Sequence, residues 1–420
     1  MSFQQGLSGL NATSKNLEVI GNNIANANTY GSKVARAEFS DMYAASLNGA
    51  GSSEVGIGTT LATVAQQFTQ GNISTTSNPL DLAINGAGFF QLIDAGSGAT
   101  SYTRNGQFKV DADGYIVNNS QQRLAGIPQG ENAGAPPSAL RLPTGAQLPP
   151  KATTAVSLEL NLKGNSEVQV FDVNDSTTYS ATSVTMYDLS GNASSLALYF
   201  SKKSADLATG ESEWDIYVGL PLADPTVAPV LLTTTAVKFN ASGTQPVDAT
   251  TGLPVTDLSA VPLWAGALPP QFGTVSPTLD LSGMTAFASS FAVSDLTQDG
   301  YAPGSLQSIN VAKNGDVEAI YTNGETLVSG TVILTAFRNP QGLRPVGDNA
   351  WVQTGTEGEA VRDKPGNGSF GSLQSRALEE SNIDLTNELV NMITAQRIYQ
   401  ANAQTIKTQD QVMQTLVNLR

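Results

Sequence analysis

The 420-residue sequence predicts a mixed, mainly β protein. Its β-domains are nested and discontinuous, with paired N- and C-terminal α-helices in coiled-coil-like contact at one end. Three observations lead there. Apolar residues recur at helical spacing at both chain ends. Between the ends, short alternating runs are separated by Gly, Pro, Asn and Asp turns. The residue patterns also mirror one another about the middle: helix, linker, β, a different β, β, linker, helix.

The bulk numbers fit this reading. The length exceeds one ordinary core and suggests two or three domains. Hydrophobic residues reach 40%, enough to bury cores, while charged residues make up 14%, against about 25% in an average soluble protein. Forty glycines and many Ser, Thr and Asn fill the difference, as in β-rich, secreted or assembling proteins. A formal charge of −15 argues against nucleic acid, which is bound through clustered Lys and Arg. It reads as solubility. Cysteine and histidine are both absent. That removes a disulfide framework, a Cys/His zinc site, a Cys nucleophile and a Ser-His-Asp triad, and leaves carboxylate chemistry formally open. No cofactor or metal is expected. No stretch approaches the ~18 apolar residues of a membrane span, so no membrane insertion is expected. Residues 1–16 have one basic residue, Lys15, and no continuous apolar core, so they do not read as a secretory signal. Exit from the cytoplasm would use another route.

Taken in order, Phe3, Leu7, Leu10, Leu17 and Ile24 form the first apolar stripe, with Ser14 and Gly21 at the remaining positions. Frequent Asn and Gly make this helix weak alone, which points to a partner. From Asn22 to Gln70 turn chemistry dominates, including Asn48 to Ser53, and Thr60 to Gln66 is a short extended piece able to pair locally. A β-body starts near Pro79. Leu80 to Ile84 alternates, Gly86 and Gly88 read as a turn rather than a phosphate loop, and strands at 107–110 and 115–117 flank the turn Asp111 to Gly114. Asp111 and Asp113 lack the remaining ligands of a calcium loop and read as turn residues.

Prolines at 136, 137, 143, 149 and 150 mark a boundary. Beyond it lies an inserted β-sandwich or barrel, roughly Lys151 to Asp280, with strands at 184–187, 196–200 and 214–218 and a closing Pro-rich stretch from Pro254 to Pro277. From Phe287 the pattern of the first β-body returns. Val317 to Tyr321 meets Thr326 to Val328 across an Asn-Gly hairpin signal, and Thr331 to Phe337 is a further strand. The run 342–371 thins into Gly, Asn and Asp. Finally, Leu385, Leu389, Ile393, Tyr399, Ala403, Ile406, Met413 and Leu416 make one stripe along a helix covering 383–419, roughly 55 Å long at 1.5 Å per residue. The predicted division is 1–28 with 383–420 as the helical pair and 29–70 with 360–382 as the linking segment. Residues 71–146 with 282–359 form the inner β-domain and 147–281 the outer inserted one.

At both ends the sequence resembles the bacterial flagellar axial proteins, and among them the hook family most closely. The N-terminal signature includes Asn22, Asn23, Asn26, Thr29, Gly31 and Lys33. The C-terminal one includes Asn382, Asp384, Leu385, Gln396, Arg397, Tyr399 and Asn402. Leu80 to Ile84 with Gly88-Phe89-Phe90, Tyr102 to Phe108, Phe337 to Leu343 and Gly347-Asp348-Asn349 are similar to the family's inner β-domain. The middle region adds no recognised motif. Where the family commonly has Phe, this chain has Ser32, which affects a local apolar contact.

The resemblance implies export through the flagellar type III apparatus and assembly of identical subunits into a tube, end helices innermost. It also implies contacts with the distal rod, hook cap and hook–filament junction proteins. Head-to-tail contacts that do not close give an open helical polymer. The nearest rival is the distal rod protein, which shares both signatures; the stretch 151–280 favours the hook. A secreted glycosidase using Asp215 and Glu318, or an adhesive surface module, would not need a long amphipathic end.

Overall fold

The structure is a computed structural model and describes residues 2–42, 56, 58–131, 135–143, 147–206, 210–220, 230–245, 258–263 and 277–418. The loop Asn48 to Ser53 lies outside the described residues, as does most of the Pro-rich stretch 254–277. Helix α1 spans Ser2–Ala25 and helix α2 spans Leu385–Asn418, and among the described residues the other regular elements are strands and a 3-10 turn at Pro340–Gly342. Among the described residues no helix is long and apolar enough to cross a membrane. The chain divides into two compact units, Met1–Gly145 with Gln307–Ile320 and Thr326–Arg420, and Ala146–Leu306 with Tyr321–Glu325.

The first unit holds both helices and a multistranded sheet. Its core gathers Leu82, Ile84, Phe90, Leu92, Phe108, Leu124, Val332, Leu334 and Leu373. A neighbouring aromatic cluster joins Phe89, Tyr102, Phe337 and Trp351, against which Phe68 packs. The predicted hairpins are present. Lys109–Val110 pairs with Ile116–Val117, closed by Gly114 at φ 88° and by the Asp111 carboxylate, which accepts the Asp113 and Tyr115 N–H groups. Asp316–Tyr321 pairs with Thr326–Val332 across Gly324 at φ 87°. Asp348 and Asn349, both left-handed at φ 51° and 54°, turn the chain between Arg344–Gly347 and Ala350–Val352.

The linking segment is more ordered than the sequence suggests. Ala35–Met42 and Gly58–Gln66 form a two-stranded antiparallel ribbon beside α1, where the Gln5 amide donates to Gly56 O at 2.6 Å. The Gly-rich return run is stitched into the body: Ser372–Ser375 pairs with Leu82–Asn85, and Ala377–Glu379 pairs with Ile73–Thr75.

Among the described residues the second unit is a sandwich of two four-stranded sheets. Strand Ala155–Asn161 alternates buried and open positions, and its Val156, Leu158 and Leu160 face Leu198, Phe200, Ile216 and Val218 in one core. The sequence division placed 282–306 in the inner domain. Strand Ala292–Gln298 instead pairs antiparallel with Ala155–Asn161, so this unit runs past the predicted end at 281. Its mostly exposed positions fit its place at the end of that sheet.

Candidate assembly interface

The site is the pair of terminal helices and the place where they meet the β-body. α1 is proline-free and ends at an asparagine turn. The Asn26 N–H donates to Asn22 O at 3.1 Å, and the Asn26 side-chain amide reaches the same carbonyl at 3.0 Å. A short-range bond of this kind competes with helix continuation. α2 is capped by Asp384, whose carboxylate accepts the N–H groups of Thr386 and Asn387 at 2.8 and 3.2 Å, satisfying two of the donors a helix start leaves free.

The two helices pack together, with Ile406 of the predicted stripe and several residues outside it at the contact. A side chain at Gly6 would stand 3.0 Å from Ile406 Cγ1, and one at Gly9 would stand 2.9 Å from Asn402 Nδ2. Further along, Thr13, Ile20, Asn23 and Ala395 are buried, and Asn23 Nδ2 donates to Glu388 Oε2 at 3.3 Å. The contacts between the helices run from Gly6–Ile406 and Gly9–Asn402 to Asn23–Glu388. The approach is close at Gly6 and Gly9, which carry no side chain, because interaxial distance follows side-chain size at the contact.

Several large apolar residues of the predicted stripe stay open to solvent. Leu7, Leu385, Leu389, Ile393, Tyr399 and Met413 are 45, 40, 49, 51, 38 and 56% exposed. Leu10, Leu17, Ile24, Ala403 and Ile406 are half-buried, and Ile406 alone of the predicted stripe reaches a glycine of the partner helix. The side chains of Phe3 and Leu416 lie outside the described residues. Gly6 and Gly9 were visible in the sequence; weighting only large apolar residues missed their role.

Most of the family-motif residues sit at the base of the helices. Asn23 Nδ2 donates to Ala35 O at 2.8 Å while its Oδ1 accepts the Ala35 N–H at 3.0 Å, so one amide side chain pairs with a strand backbone as another strand would. Asn382 accepts the Val34 N–H at 2.8 Å and donates to Gln67 O at 2.9 Å and to Thr69 Oγ1 at 2.8 Å. Thr29 continues the turn, its N–H on Asn26 O at 3.0 Å. Gly31 is left-handed at φ 71° and donates to Glu379 O at 2.9 Å; a Cβ there would overlap the Arg104–Asn105 backbone. Ser32, at the family's usual Phe position, is buried. Gln396 and Arg397 are exposed on α2.

Beneath these lies a buried ion cluster that the sequence did not reveal. Lys33 Nζ meets Glu379 Oε1 at 2.6 Å, and Arg104 meets Glu379 Oε2 at 3.0 Å. Lys33 also donates to Thr69 O at 2.6 Å, and Glu379 accepts the Gly71 N–H at 3.0 Å. Burial pulls the Lys33 amine below the usual lysine range, with the Glu379 carboxylate working the other way. Asp215 and Glu318, weighed as a carboxylate pair, each have a local partner: Lys203 at 3.5 Å and Asn310 Nδ2 at 3.0 Å.

Known families match the chain over several stretches. Residues 3–33 match the family described as flagella basal body rod protein, and 83–167 match the flagellar hook protein FlgE/F/G D1 domain. Residues 159–301 match the flagellar basal body protein FlaE D2 domain, and 374–419 the flagellar basal body rod FlgEFG protein C-terminal. Together with the helix pair and its open apolar face, these matches define a structural subunit of the flagellar axis. The chain is 38% identical over 432 residues to the flagellar hook protein FlgE of Salmonella typhimurium, covering 100% of both chains. It is 39% identical over 434 residues to that of Escherichia coli K12, again covering 100% of both. Against that of Borreliella burgdorferi it is 31% identical over 455 residues, covering 100% of this chain and 99% of the relative. It belongs to the flagellar hook protein family. The crystal structure of Helicobacter pylori flagellar hook protein FlgE2 shares the fold, with a TM-score of 0.54, 14% identity, and coverage of 73% of this chain and 100% of that one.

Proposed function

We propose that this chain is exported through the flagellar type III apparatus and polymerises into a flexible tube outside the cell. That tube couples rod to filament and transmits torque as a universal joint. The protein acts as a building block rather than as an enzyme. Its partners are other copies of itself, with the distal rod, hook cap and hook–filament junction proteins at the tube ends.

The observation that carries this reading is the row of open apolar side chains on α2, Leu385, Leu389 and Ile393 with Tyr399 and Met413 beyond. Covering each large apolar side chain contributes roughly 1.5–3 kcal/mol. Within one molecule they stay 38–56% exposed. Surrounding copies cover them in the tube, and α1 closes the pair from the other side. The motif asparagines and the ion cluster hold the helix bases at a fixed angle to the body, so bending is taken up farther out.

The test is the double variant Leu389→Asn with Ile393→Asn. Tube formation should be lost while the β units unfold at their original denaturant midpoint. Tubes of ordinary length from that variant would overturn the assignment of cohesion to this face.

A further inference from the structure

In the second unit, the sheet of Ser180–Tyr187, Ala193–Ala205, Ser212–Leu220 and Val230–Phe239 carries an aromatic cluster on the face opposite its core. Tyr199 and Tyr217 alternate with the buried Leu198, Phe200, Ile216 and Val218, so they point the other way. Phe171 stacks on Tyr217 with ring centroids 4.0 Å apart, and Tyr179 meets Tyr199 edge-on at 4.9 Å.

Phe171 belongs to a strap held at both ends. Lys202 Nζ donates to Gly164 O at 2.7 Å and to Ser166 O at 3.1 Å, and the Asp172 N–H donates to Thr178 Oγ1 at 3.2 Å. Between these anchors, residues 166–172 run without turn or bend. Among the described residues, no backbone N–H or C=O of 167–171 has a hydrogen-bond partner within the chain. Val168 is 51% and Val170 is 90% exposed. Val-Gln-Val-Phe suits a strand, and it lacks the charges with which edge strands usually block pairing.

We propose that this strap is a strand donor, adding to the edge strand Val230–Phe239 of a second copy of this chain. That strand pairs, among the described residues, with Ser212–Leu220 alone. Its single charged residue is Lys238, which is exposed, and the strap is flanked by Glu167 and Asp172, giving charge complementarity across the contact. The surfaces differ on the two copies, so the contact is head-to-tail and repeats along a helix. So few residues bury far less than the ~1,200 Å² of a stable free-standing interface. The contact forms where the axial seam already holds copies at high effective concentration, and it therefore rests on the tube-forming reading. Holding the strap at both ends lowers the ordering cost of pairing.

Hydrogen exchange on full-length protein, monomer against tubes, tests this. The amides of 168–170 should exchange at least tenfold more slowly in wild-type tubes than in monomer, and Lys238→Glu tubes should lose that protection. Equal rates in monomer and wild-type tubes would overturn the strap contact alone. Protection that persists in Lys238→Glu tubes would overturn the choice of mating strand. A wild-type protein that forms no tubes would overturn the polymer reading together with this one.

Discussion

Lys33 and Glu379, 346 positions apart in the chain, meet at 2.6 Å with neither side chain exposed to solvent. This one contact ties the segment that follows α1 to the segment that leads into α2. Arg104 reaches the other oxygen of the same carboxylate, so two cations share one anion. Removing one partner of a buried pair leaves an uncompensated charge and costs about 3–5 kcal/mol.

The two substitutions should therefore differ. Lys33→Met leaves Glu379 with Arg104, whereas Glu379→Gln leaves two cations buried side by side. In denaturant unfolding Glu379→Gln should be the more destabilising, with Lys33→Met at or below about 3 kcal/mol. Equal losses would mean that Arg104 is not electrostatically coupled to the pair.

Gly31 and Gly324 separate the two costs of replacing a left-handed glycine. Both have positive φ, at 71° and 87°. A Cβ at Gly31 overlaps the Arg104–Asn105 backbone, whereas at Gly324 nothing lies within 4 Å. Gly324→Ala should cost about 1–2 kcal/mol, the backbone term alone. Gly31→Ala should cost clearly more by thermal unfolding, and should loosen the Asn382 bonds to residues 67–69, read as faster amide exchange around Val34.

Gly9 tests the helix pair. Its missing side chain leaves room for Asn402, 2.9 Å from where a Cβ would be. Gly9→Leu gains helix propensity of nearly 1 kcal/mol, yet should drive α1 off α2. Faster amide exchange along α1 with unchanged unfolding of the β units is the expected result. A more protected α1 would show that the contact is plastic enough to refit.

How much was legible in the sequence depended on the scale of the signal. Hairpins such as Asp316–Tyr321 with Thr326–Val332 follow from local turn chemistry, because Asn323-Gly324 specifies its own geometry. Both helices were readable from another local signal, the three-and-four spacing of their apolar residues. The face they share was not, since close approach through Gly6, Gly9 and Ala395 depends on what is absent from those positions. The ion cluster was beyond reach. Lys33, Arg104 and Glu379 are three ordinary charged residues until strand pairing of 377–379 with 73–75 brings them together. Asn23 and Asn382 stood out only through resemblance, and the structure supplies their physical role as side chains that bond to strand backbones.

Asp299 gives the second unit a pH dependence whose sign is fixed. Burial works against its charge, but the Thr154 hydroxyl, the Ala155 and Thr154 N–H groups and the Lys151 amine all favour the ionised form. Together they hold the carboxyl far below the usual range. The bonds are short: 2.5 Å from Thr154 Oγ1, 2.7 and 2.9 Å from the N–H groups of Thr154 and Ala155, and 3.0 Å from Lys151. A carboxyl whose folded pKa is depressed contributes its full stability above its unfolded pKa of about 3.9. That contribution is lost as pH falls from there through the folded value. Asp299→Asn should therefore lower the melting temperature of the second unit at pH 7. The gap to wild type should narrow steadily below about pH 4, because the wild type is then losing the same advantage. Calorimetry of both proteins between neutral and acid pH reads this directly. A gap that stays constant down to pH 2 would mean that the asparagine is destabilising through shape rather than through charge.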